Sequence, residues 1–423
     1  MIILRQVLIS IAAAFLIWRI GVIGTSSHYT QSIIAGERDA VDKALTWDKR
    51  QPEALYRKAL ALRNDDPVTA ATLLAQANAH HMADARPFFA TVEAALTQGN
   101  QARADALVEM ALRLRPADPH IRQQAGEYWL LRNDVKQAIL HWSFALEAYR
   151  PTSSKLFPRL FKLAENPHTR PAYTVLATSP PSWWDSFFSE VAKRATQIET
   201  VQQLYSLRRK SRQAPITMSE WKSYVARLMK EGLIAQAYMV WVNGLTRDQR
   251  KRLGLLYDGS FEFEPGNWGS DWHIHTPRDV LIDRVYIYGS DGRKSLHLRF
   301  DHDRGHFSGS LYQKLFLDPG DTYRLRGRVH TDSLDTQGGL KWVIRYLLPQ
   351  PEDLGESERF LGANEWRDFR FEFQVPEACT LQEIHLVSAG RHRITGDAWF
   401  DRMAIHKRPT PLKAQPAKAK GGN

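Results

Sequence analysis

Apolar positions in residues 51–152 recur at helical spacing and, over a longer distance, at one fixed interval. Two series of small residues keep this interval of 34 (104 − 70 and 138 − 104): Ala70/Ala104/Ala138 and Ala77/Ala111/Ala145. Leu74, Val108 and Trp142 lie between them at the same interval. Such a period predicts helix–turn–helix units that stack on their neighbours. Small residues are expected where paired helices approach closely, because a larger side chain would overpack there.

Further signals mark the ends of these units. Gln98-Gly99-Asn100 predicts a turn, Pro116 ends the second unit, and Gly126 with Trp129 lies on the first helix of the third. The pattern resembles the tetratricopeptide repeat (TPR) family over roughly residues 51–152. That resemblance implies a TPR-type α-solenoid over 28–152 whose groove holds a protein partner. The packing positions it implies are Ala70, Ala77, Ala104, Ala111, Gly126, Ala138 and Ala145.

From 153 to 254 the interval is lost but the helical period remains. The apolar pattern predicts helices at 153–164, 182–195, 198–208, 218–230 and 233–245. We interpret this segment as divergent helical repeats that continue the solenoid.

Around Leu255 the period changes from 3.6 to 2. Nine strands are predicted from this point, at 260–264, 283–288, 295–300, 311–317, 322–330, 341–347, 368–374, 382–388 and 398–405. Turn residues such as Pro319-Gly320 and Gly338-Gly339 separate them. A helix-free series of this kind predicts a β-sandwich or jelly roll over 255–407. The fold class is therefore multidomain, α followed by β.

Several motifs in this domain are similar to those of galactose-binding-like jelly rolls. They are Asp258-Gly259-Ser260-Phe261-Glu262 with Trp268, Ser295–Phe300, Leu317–Tyr323, Trp366–Phe369 and Gly396–Asp401. The resemblance implies a module of the kind that binds glycans, binds other proteins, or packs against a neighbouring domain. It also implies a structural Ca²⁺, with Glu262 and Asp401 as carboxylate ligands. The alternative is that these two acids are solvated or bonded to backbone.

Four aromatic residues are candidates for stacking on a sugar ring. Trp268 and Trp272 lie in a polar loop, and Trp342 and Tyr346 share one strand face because they are four residues apart. The same spacing is typical of core residues, so both interpretations stay open for the strand pair.

The N-terminus carries a membrane signal. Residues 6–24 are almost wholly apolar, with Arg5 before them and Arg19 near their end. Nineteen residues in a helix span about 28 Å, close to the ~30 Å hydrocarbon thickness. We predict that 1–27 form a signal anchor that crosses a bacterial inner membrane once, with the bulk of the chain periplasmic. A signal peptide cleaved near residue 24 and a buried helix remain alternatives.

The net charge and the cysteine content limit the kinds of partner and of metal site that the chain can have. The formal charge is +11 with a pI near 9.6, which favours anionic partners. Part of this charge lies in residues 408–423, predicted to be a disordered basic tail. The single cysteine, Cys379, excludes an internal disulfide and a cysteine-built zinc site.

No catalytic motif emerges from the sequence. It contains no glycine-rich phosphate loop, no His-Glu-x-x-His and no Gly-x-Ser-x-Gly, and basic residues are not interleaved with aromatics as nucleic-acid binding would need. We therefore expect a non-enzymatic scaffold with no cofactor beyond the structural Ca²⁺. The resemblance to the two families implies a role in envelope polysaccharide assembly or export. The alternatives are a glycan-modifying enzyme with an ancillary jelly roll, and a structural adaptor of a cell-wall machine without sugar affinity.

Overall fold

The computed structural model describes residues 2–34, 37, 39–277, 280–304, 307–347, 351–379, 381–390 and 393–408. Residues 409–423, which make up almost all of the predicted basic tail, lie outside this description. The chain divides into two compact units. The first is Met1–Trp184 with Lys210–Ala214, and the second is Asp185–Arg209 with Pro215–Asn423.

Helices occupy the described chain up to residue 250. Their bounds are α1 Ile2–Ile34, α2 Ala40–Trp47, α3 Pro52–Leu62, α4 Pro67–His80, α5 Arg86–Thr97, α6 Gln101–Leu114, α7 Pro119–Leu131, α8 Val135–Ala148, α9 Ser153–Glu165, α10 Thr174–Thr178, α11 Trp184–Arg194, α12 Ile198–Arg209, α13 Met218–Lys230, α14 Ile234–Gly244 and α15 Arg247–Arg250. The helices predicted between 153 and 245 agree with α9 and α11–α14 to within two residues at each end.

Helix α1 carries the apolar N-terminal stretch. Its segment Arg5–Ser32 is long and apolar enough to cross a membrane, with a mean hydropathy of 2.2, and only 6% of its most apolar window is buried. A signal sequence would have the same length and composition. The C-terminal part of α1 packs on the next helices. There Ser26 Oγ donates a hydrogen bond to the Ala44 carbonyl at 3.2 Å, and Gln51 Nε2 donates to Thr30 Oγ1 at 2.6 Å.

Helices α3–α8 pack as successive pairs, and the 34-residue interval appears in their caps. Asp66, Asn100 and Asp134 each accept a hydrogen bond from the backbone N–H three residues on, at 3.0 Å, and so begin α4, α6 and α8. The six alanines of the two series are all buried. Gly126 is packed against a ring, because a Cβ built there would lie 2.3 Å from Trp142 Cδ1. The first unit of the structure is thus a helical array with a local repeat.

The strands form two five-stranded antiparallel sheets. Their bounds are β1 Trp272–Ile274, β2 Val280–Val285, β3 Ser295–Arg304, β4 Leu311–Leu315, β5 Thr322–Thr336, β6 Leu340–Tyr346, β7 Glu352–Glu356, β8 Gly362–Gln374, β9 Gln382–Ser388 and β10 Ile394–Lys407. Sheet A has the order β1-β4-β9-β6-β7, and sheet B has the order β2-β3-β10-β5-β8. Their facing sides enclose one core, with Leu298, Leu325, Ile344, Leu386 and Phe400 at its centre. This confirms the predicted β-sandwich.

The segment predicted as the opening strand, 260–264, is not a strand. Asp258 and Phe261 have positive φ values of 43° and 54°. The Asp258 carboxylate accepts hydrogen bonds from the N–H groups of Glu262 (3.1 Å) and Phe263 (2.8 Å). This local side-chain capping competes with strand pairing, so the segment is an irregular turn. Strands β1 and β7 were not predicted, and both lie at edges of sheet A.

Helices α12–α14 fall in the same compact unit as the sandwich. The ring of Trp241 on α14 packs edge-on against Tyr257 at 5.1 Å, and Tyr238 lies 4.9 Å from Phe316. A Cβ at Gly269 would collide with Trp241 at 2.3 Å. The division of the chain into units therefore falls upstream of the predicted boundary at 254/255.

Candidate functional site

Two of the four predicted sugar-stacking residues are core residues. Trp272 is 1% exposed and Trp342 is fully buried, with their ring centroids 5.9 Å apart. The indole N–H of Trp272 donates to the Asp258 carbonyl at 3.1 Å. Rings enclosed between the sheets cannot meet a pyranose, so this prediction was wrong for both. The period of two places residues on a common face, but it does not say which face is turned inward.

The other two aromatics are also poorly placed for stacking. Trp268 is 7% exposed and packs between Gly266 and Gly244, the last residue of α14. It fixes the helices of this unit onto the sandwich, and the prediction that it contacts sugar was therefore wrong. Tyr346 shares the inward face of β6 with Trp342, as predicted, but it is only partly buried and its hydroxyl donates to Glu352 at 3.0 Å.

The outward face of sheet A carries a row of stacked rings across three strands. His273 lies 4.6 Å from Tyr312, nearly parallel at 8°, and Tyr312 lies 5.4 Å from His385. Burial lowers the pKa of His273 to about 4, so this ring is neutral at pH 7. Because the rings cover one another's faces, the row presents edges and polar atoms rather than a flat stacking surface.

A second row crosses sheet B on its outward face. His297 stacks on Trp399 at 4.7 Å, and His330 lies 5.0 Å from Trp399 and 5.7 Å from Trp366. His297 is held at both ring nitrogens. Its Nδ1 is 2.8 Å from Asp283 Oδ1, and its Nε2 is 2.6 Å from Asp397 Oδ1. Trp366 ends the row at β8.

The loop between β2 and β3 is hydrogen-bonded to side chains of sheet B beside this row. The Trp366 indole N–H donates to the Tyr288 carbonyl at 2.9 Å, and Arg328 Nη1 donates to the Gly289 carbonyl at 2.8 Å. Gly289 has φ +89°, and a Cβ there would lie 2.7 Å from Trp366 Cδ1. The loop main chain is therefore ordered, while the side chains of Tyr286 and Tyr288 are 67% and 91% exposed.

A cleft of about 1060 Å³ opens next to this loop on β5, β8 and β10. Its charged lining residues are Arg326, Arg328, Arg370, Arg402, Asp291, Glu358 and Asp368. The exposed phenol rings of Tyr286 and Tyr288 lie on the loop that contributes Asp291 to this cleft. Phenol rings beside charged hydrogen-bonding groups are chemically suited to a polar ligand with flat apolar faces, which is what a sugar ring presents.

The predicted carboxylate pair converges on the same loop. Asp401, fully buried on β10, accepts hydrogen bonds from the N–H groups of Asp291 at 2.5 Å and Arg402 at 2.6 Å. Glu262 accepts from the N–H of Arg293 at 2.8 Å. Burial raises the pKa of Asp401 to about 6. The turn 291–294 is therefore bonded by both carboxylates.

The Glu262 and Asp401 carboxylates provide part of a site for a cation. Among the described residues, no cationic side chain lies within ion-pair distance of Glu262 or Asp401, and no group of three or more His, Cys, Asp or Glu is arranged to hold a metal. The donor type suits Ca²⁺, which takes six to eight oxygens. Two carboxylates supply at most four of these, so main-chain carbonyls or water would have to complete the shell.

Sequence reasoning missed both the loop tyrosines and the arginine cleft. Tyr286 and Tyr288 fell within a predicted strand, 283–288, whose last three residues are in fact loop. The alternation Arg324, Arg326, Arg328 along β5 was a usable signal for a charged outward face. Its partner Arg370 lies 44 residues further along the chain (370 − 326) and could be found only from the pairing of β5 with β8.

No family model matches the chain. Two curated relatives, the tRNA(Glu)-specific nuclease WapA of Bacillus subtilis subsp. natto (strain BEST195) and the tRNA nuclease WapA of Bacillus subtilis (strain 168), are each 24% identical over 185 residues. The match covers 38% of this chain and 7% of theirs, so the chain spans only a small part of the relatives' length.

Solved structures similar to the C-terminal region include carbohydrate-binding modules. A CBM4 module has a TM-score of 0.29 at 16% identity and covers 36% of this chain and 99% of its own. A xylan-binding domain from CBM 22 has 0.26 at 18% identity, covering 38% and 98%. TmCBM61, solved with β-1,4-galactotriose, has 0.27 at 16% identity, covering 37% and 99%.

Proposed function

We propose that this protein is a membrane-anchored, non-catalytic scaffold whose sandwich binds a glycan and whose helical array binds a protein partner. Helix α1 would hold it in a bacterial inner membrane, with the remainder in the periplasm. The basic net charge and the two kinds of contact surface suit a role in envelope polysaccharide assembly or export.

The observation that carries the glycan assignment is the loop with Tyr288. This side chain is 91% exposed, yet its main-chain carbonyl is bonded to Trp366 and the next carbonyl to Arg328. An exposed aromatic ring leaves apolar surface in contact with water, which is unfavourable, and a loop held by hydrogen bonds that presents two such rings is therefore well suited to bind a partner through them. Because the loop is already ordered, stacking on a sugar would cost little conformational entropy.

The test measures glycan binding by the full-length protein in detergent. A panel of neutral and acidic oligosaccharides is titrated against the wild type and against Tyr286→Ala/Tyr288→Ala, and we expect at least one ligand whose affinity falls about tenfold in the variant. Tyr149→Ala is the matched control, since Tyr149 is also exposed (53%) but lies on the helical array. If no glycan binds the wild type, or if both variants bind equally, the proposal fails.

The protein partner is proposed from the helical array. Its helices and turns expose large apolar side chains, including Val68 (78%), Met82 (76%) and Leu131 (76%). Affinity purification from membranes of the producing cell identifies the partner, and a Leu131→Glu variant should lose it. Protease treatment of spheroplasts tests the topology, because a protected chain would contradict the periplasmic placement.

We also propose that Glu262 and Asp401 hold a structural Ca²⁺ that stabilises the turn 291–294. The buried Asp401 carboxylate supports this, because burial without a cationic partner disfavours its charged form and a bound cation would restore it. The ion would serve folding rather than reaction.

Binding rather than catalysis is proposed for the whole chain. The purified protein should leave polysaccharides and tRNA intact. Release of reducing ends would favour a glycan-modifying enzyme, and tRNA cleavage would favour an activity like that of the WapA nucleases. If the protein partner is captured but no glycan binds, the protein would be a structural adaptor without sugar affinity.

A further inference from the structure

Two arginines of the sandwich lie directly opposite each other in neighbouring strands. Arg326 of β5 pairs in the antiparallel ladder with Arg370 of β8. Both point outward on sheet B and both are exposed. Directly paired residues have Cβ atoms about 4.5–5.5 Å apart, and like charges in this arrangement are destabilising. Such a pair is costly unless something of opposite charge offsets it.

The acidic residues of the cleft are already engaged elsewhere. Asp291 is 2.9 Å from Arg402, Asp368 is 3.7 Å from Arg328, and Glu358 is bound by Arg367 at 2.6 Å. Each of these three carboxylates thus has an arginine partner other than the opposed pair.

Glu372, the next outward residue of β8, is engaged in the same way. It pairs with Arg324 at 2.6 Å and with Arg408 at 3.2 Å. The hydrogen bond from Arg324 lowers the pKa of Glu372, and Arg408 and Arg370 add smaller contributions of the same sign, but no ion pair joins Glu372 to Arg370. Within the described residues, Arg326 and Arg370 are left without an acidic partner inside ion-pair distance.

The two guanidinium groups determine which kind of ligand the pair would bind. A guanidinium has five N–H donors and no acceptor, so Arg326 and Arg370 cannot bond to each other. Water satisfies their donors in the free protein, but only an anion would also offset the two adjacent charges. On its other side Arg326 faces Ala404 of β10, whose small side chain leaves the space above it open. Two adjacent planar forks are well matched to a carboxylate or similar anion, which each can hold in a charge-assisted pair.

We propose that the Arg326–Arg370 pair binds the anionic group of an acidic sugar unit, so that the glycan recognised by this protein is a polyanionic polysaccharide of the uronic-acid type. The inference rests on the proposed glycan-binding function and specifies its substrate class. Tyr288 stacks on one sugar unit, and the anionic group of the chain reaches the arginine pair in the adjoining cleft. Neutral sugars meet the tyrosines but leave the arginines unsatisfied.

The test compares acidic with neutral ligands on the full-length protein in detergent. The probes are the hexamer of galacturonic acid and neutral hexamers of glucose, xylose and galactose, titrated at two salt concentrations. We expect Arg326→Gln/Arg370→Gln to lower affinity for the acidic hexamer about tenfold or more. Binding of any neutral hexamer should stay within about twofold, and the salt dependence of acid binding should weaken.

Two controls distinguish loss of the arginine site from a general loss of charge and from misfolding. Arg50→Gln/Arg103→Gln removes the same charge from exposed arginines of the helical array and should leave acidic binding unchanged. Thermal unfolding of the variant in the cleft should be unchanged or raised, because a like-charge pair has been removed, so lost binding would not reflect misfolding.

The remaining outcomes overturn the inference in distinguishable ways. If a neutral hexamer binds through the tyrosines and the acidic hexamer binds no more tightly, the substrate class is wrong while the proposed function stands. Unchanged acidic binding in the arginine variant has the same meaning. If no hexamer binds at all, the glycan function itself fails. Binding to vesicles with anionic lipid that depends on Arg326 and Arg370, without binding to the acidic hexamer, would assign the pair to a membrane surface instead.

Discussion

The guanidinium of Arg208 and the carboxylate of Glu220 form an ion pair between α12 and α13 in which neither side chain is exposed. The bonds are 2.6 Å from Nε and 3.0 Å from Nη2. Glu220 also accepts from the N–H of Thr217 at 2.9 Å, which completes a capping box at the start of α13. One buried carboxylate thus fixes both the helix start and the packing of two helices.

Replacing this carboxylate should therefore be costly. We expect Glu220→Gln to lower the free energy of unfolding by about 3–5 kcal/mol, because it leaves the Arg208 charge buried without its counter-charge. Glu190→Gln is the control, since its pair with Arg194 is solvent-exposed and should contribute less than about 1 kcal/mol. Denaturant unfolding followed by circular dichroism measures both. Similar small losses in the two variants would contradict a buried pair.

The packing of the helical array is tested at Gly126. Gly126→Ala places a methyl group 2.3 Å from the ring of Trp142, and overpacking of this kind should cost about 1–3 kcal/mol. At Gly21 of α1, in contrast, nothing lies within 4 Å of an added Cβ, so Gly21→Ala should leave the stability of the helical array unchanged. Thermal unfolding measures both variants. An unfolding midpoint that is unchanged or raised in Gly126→Ala would mean that α7 and α8 do not approach as closely as described.

The sandwich should lose stability as the pH rises from about 4 to about 6. Burial raises the pKa of Asp271 and of Asp401 to about 6, above the unfolded value of 3.8. Between these values each of the two carboxyls binds more protons in the folded state, whereas His273, whose pKa burial lowers to about 4, binds fewer. The two carboxyls outweigh the one imidazole, so the net slope of stability with pH is negative, at most about 1.4 kcal/mol per pH unit.

Asp271→Asn separates the two contributions. It loses one of the hydrogen bonds that the carboxylate accepts from Gly266 (2.8 Å) and Trp272 (2.7 Å), which costs a roughly constant amount, and it removes one titrating group. The net negative slope should therefore nearly disappear, because Asp401 and His273 then offset each other, while the whole curve is lowered. An unchanged slope would show that Asp271 titrates normally.

Calcium should stabilise the sandwich, and more strongly above pH 6 than below it. When Asp401 is ionised it can ligate the cation, whereas protonation below its pKa competes with binding. At a concentration about 100 times the dissociation constant we expect the midpoint to rise roughly 5–10 °C. Asp401→Asn should abolish this shift. If chelator and calcium give the same midpoint in the wild type, the backbone N–H groups alone satisfy the pair.

Local patterns in the sequence were sufficient for most secondary structure. Helices α11–α14 and strands β3, β4, β6 and β9 were predicted closely, because each has apolar residues at its own period on one buried side. The exceptions have local causes. The segment at 260–264 has alternating residues, but Asp258 caps its backbone and turns it away from pairing.

The site depended on information that a single sequence does not contain. Trp272 and Tyr288 are both aromatic residues near turns, yet one is enclosed between the sheets and the other is 91% exposed. Which of them faces solvent is decided by how β1 and β2 pair with β4 and β3. The opposed arginines likewise depend on strand pairing, which periodicity alone does not specify.

The attachment of α14 to the sandwich has a practical consequence for anyone who dissects this chain. A fragment that begins near residue 254, where strands replace helices, would lack α14. Tyr257, Trp268 and Phe316 would then become exposed as an apolar patch on the surface of the sandwich. Such a fragment should precipitate or self-associate, whereas a fragment that starts before α11 keeps the helices that cover this patch.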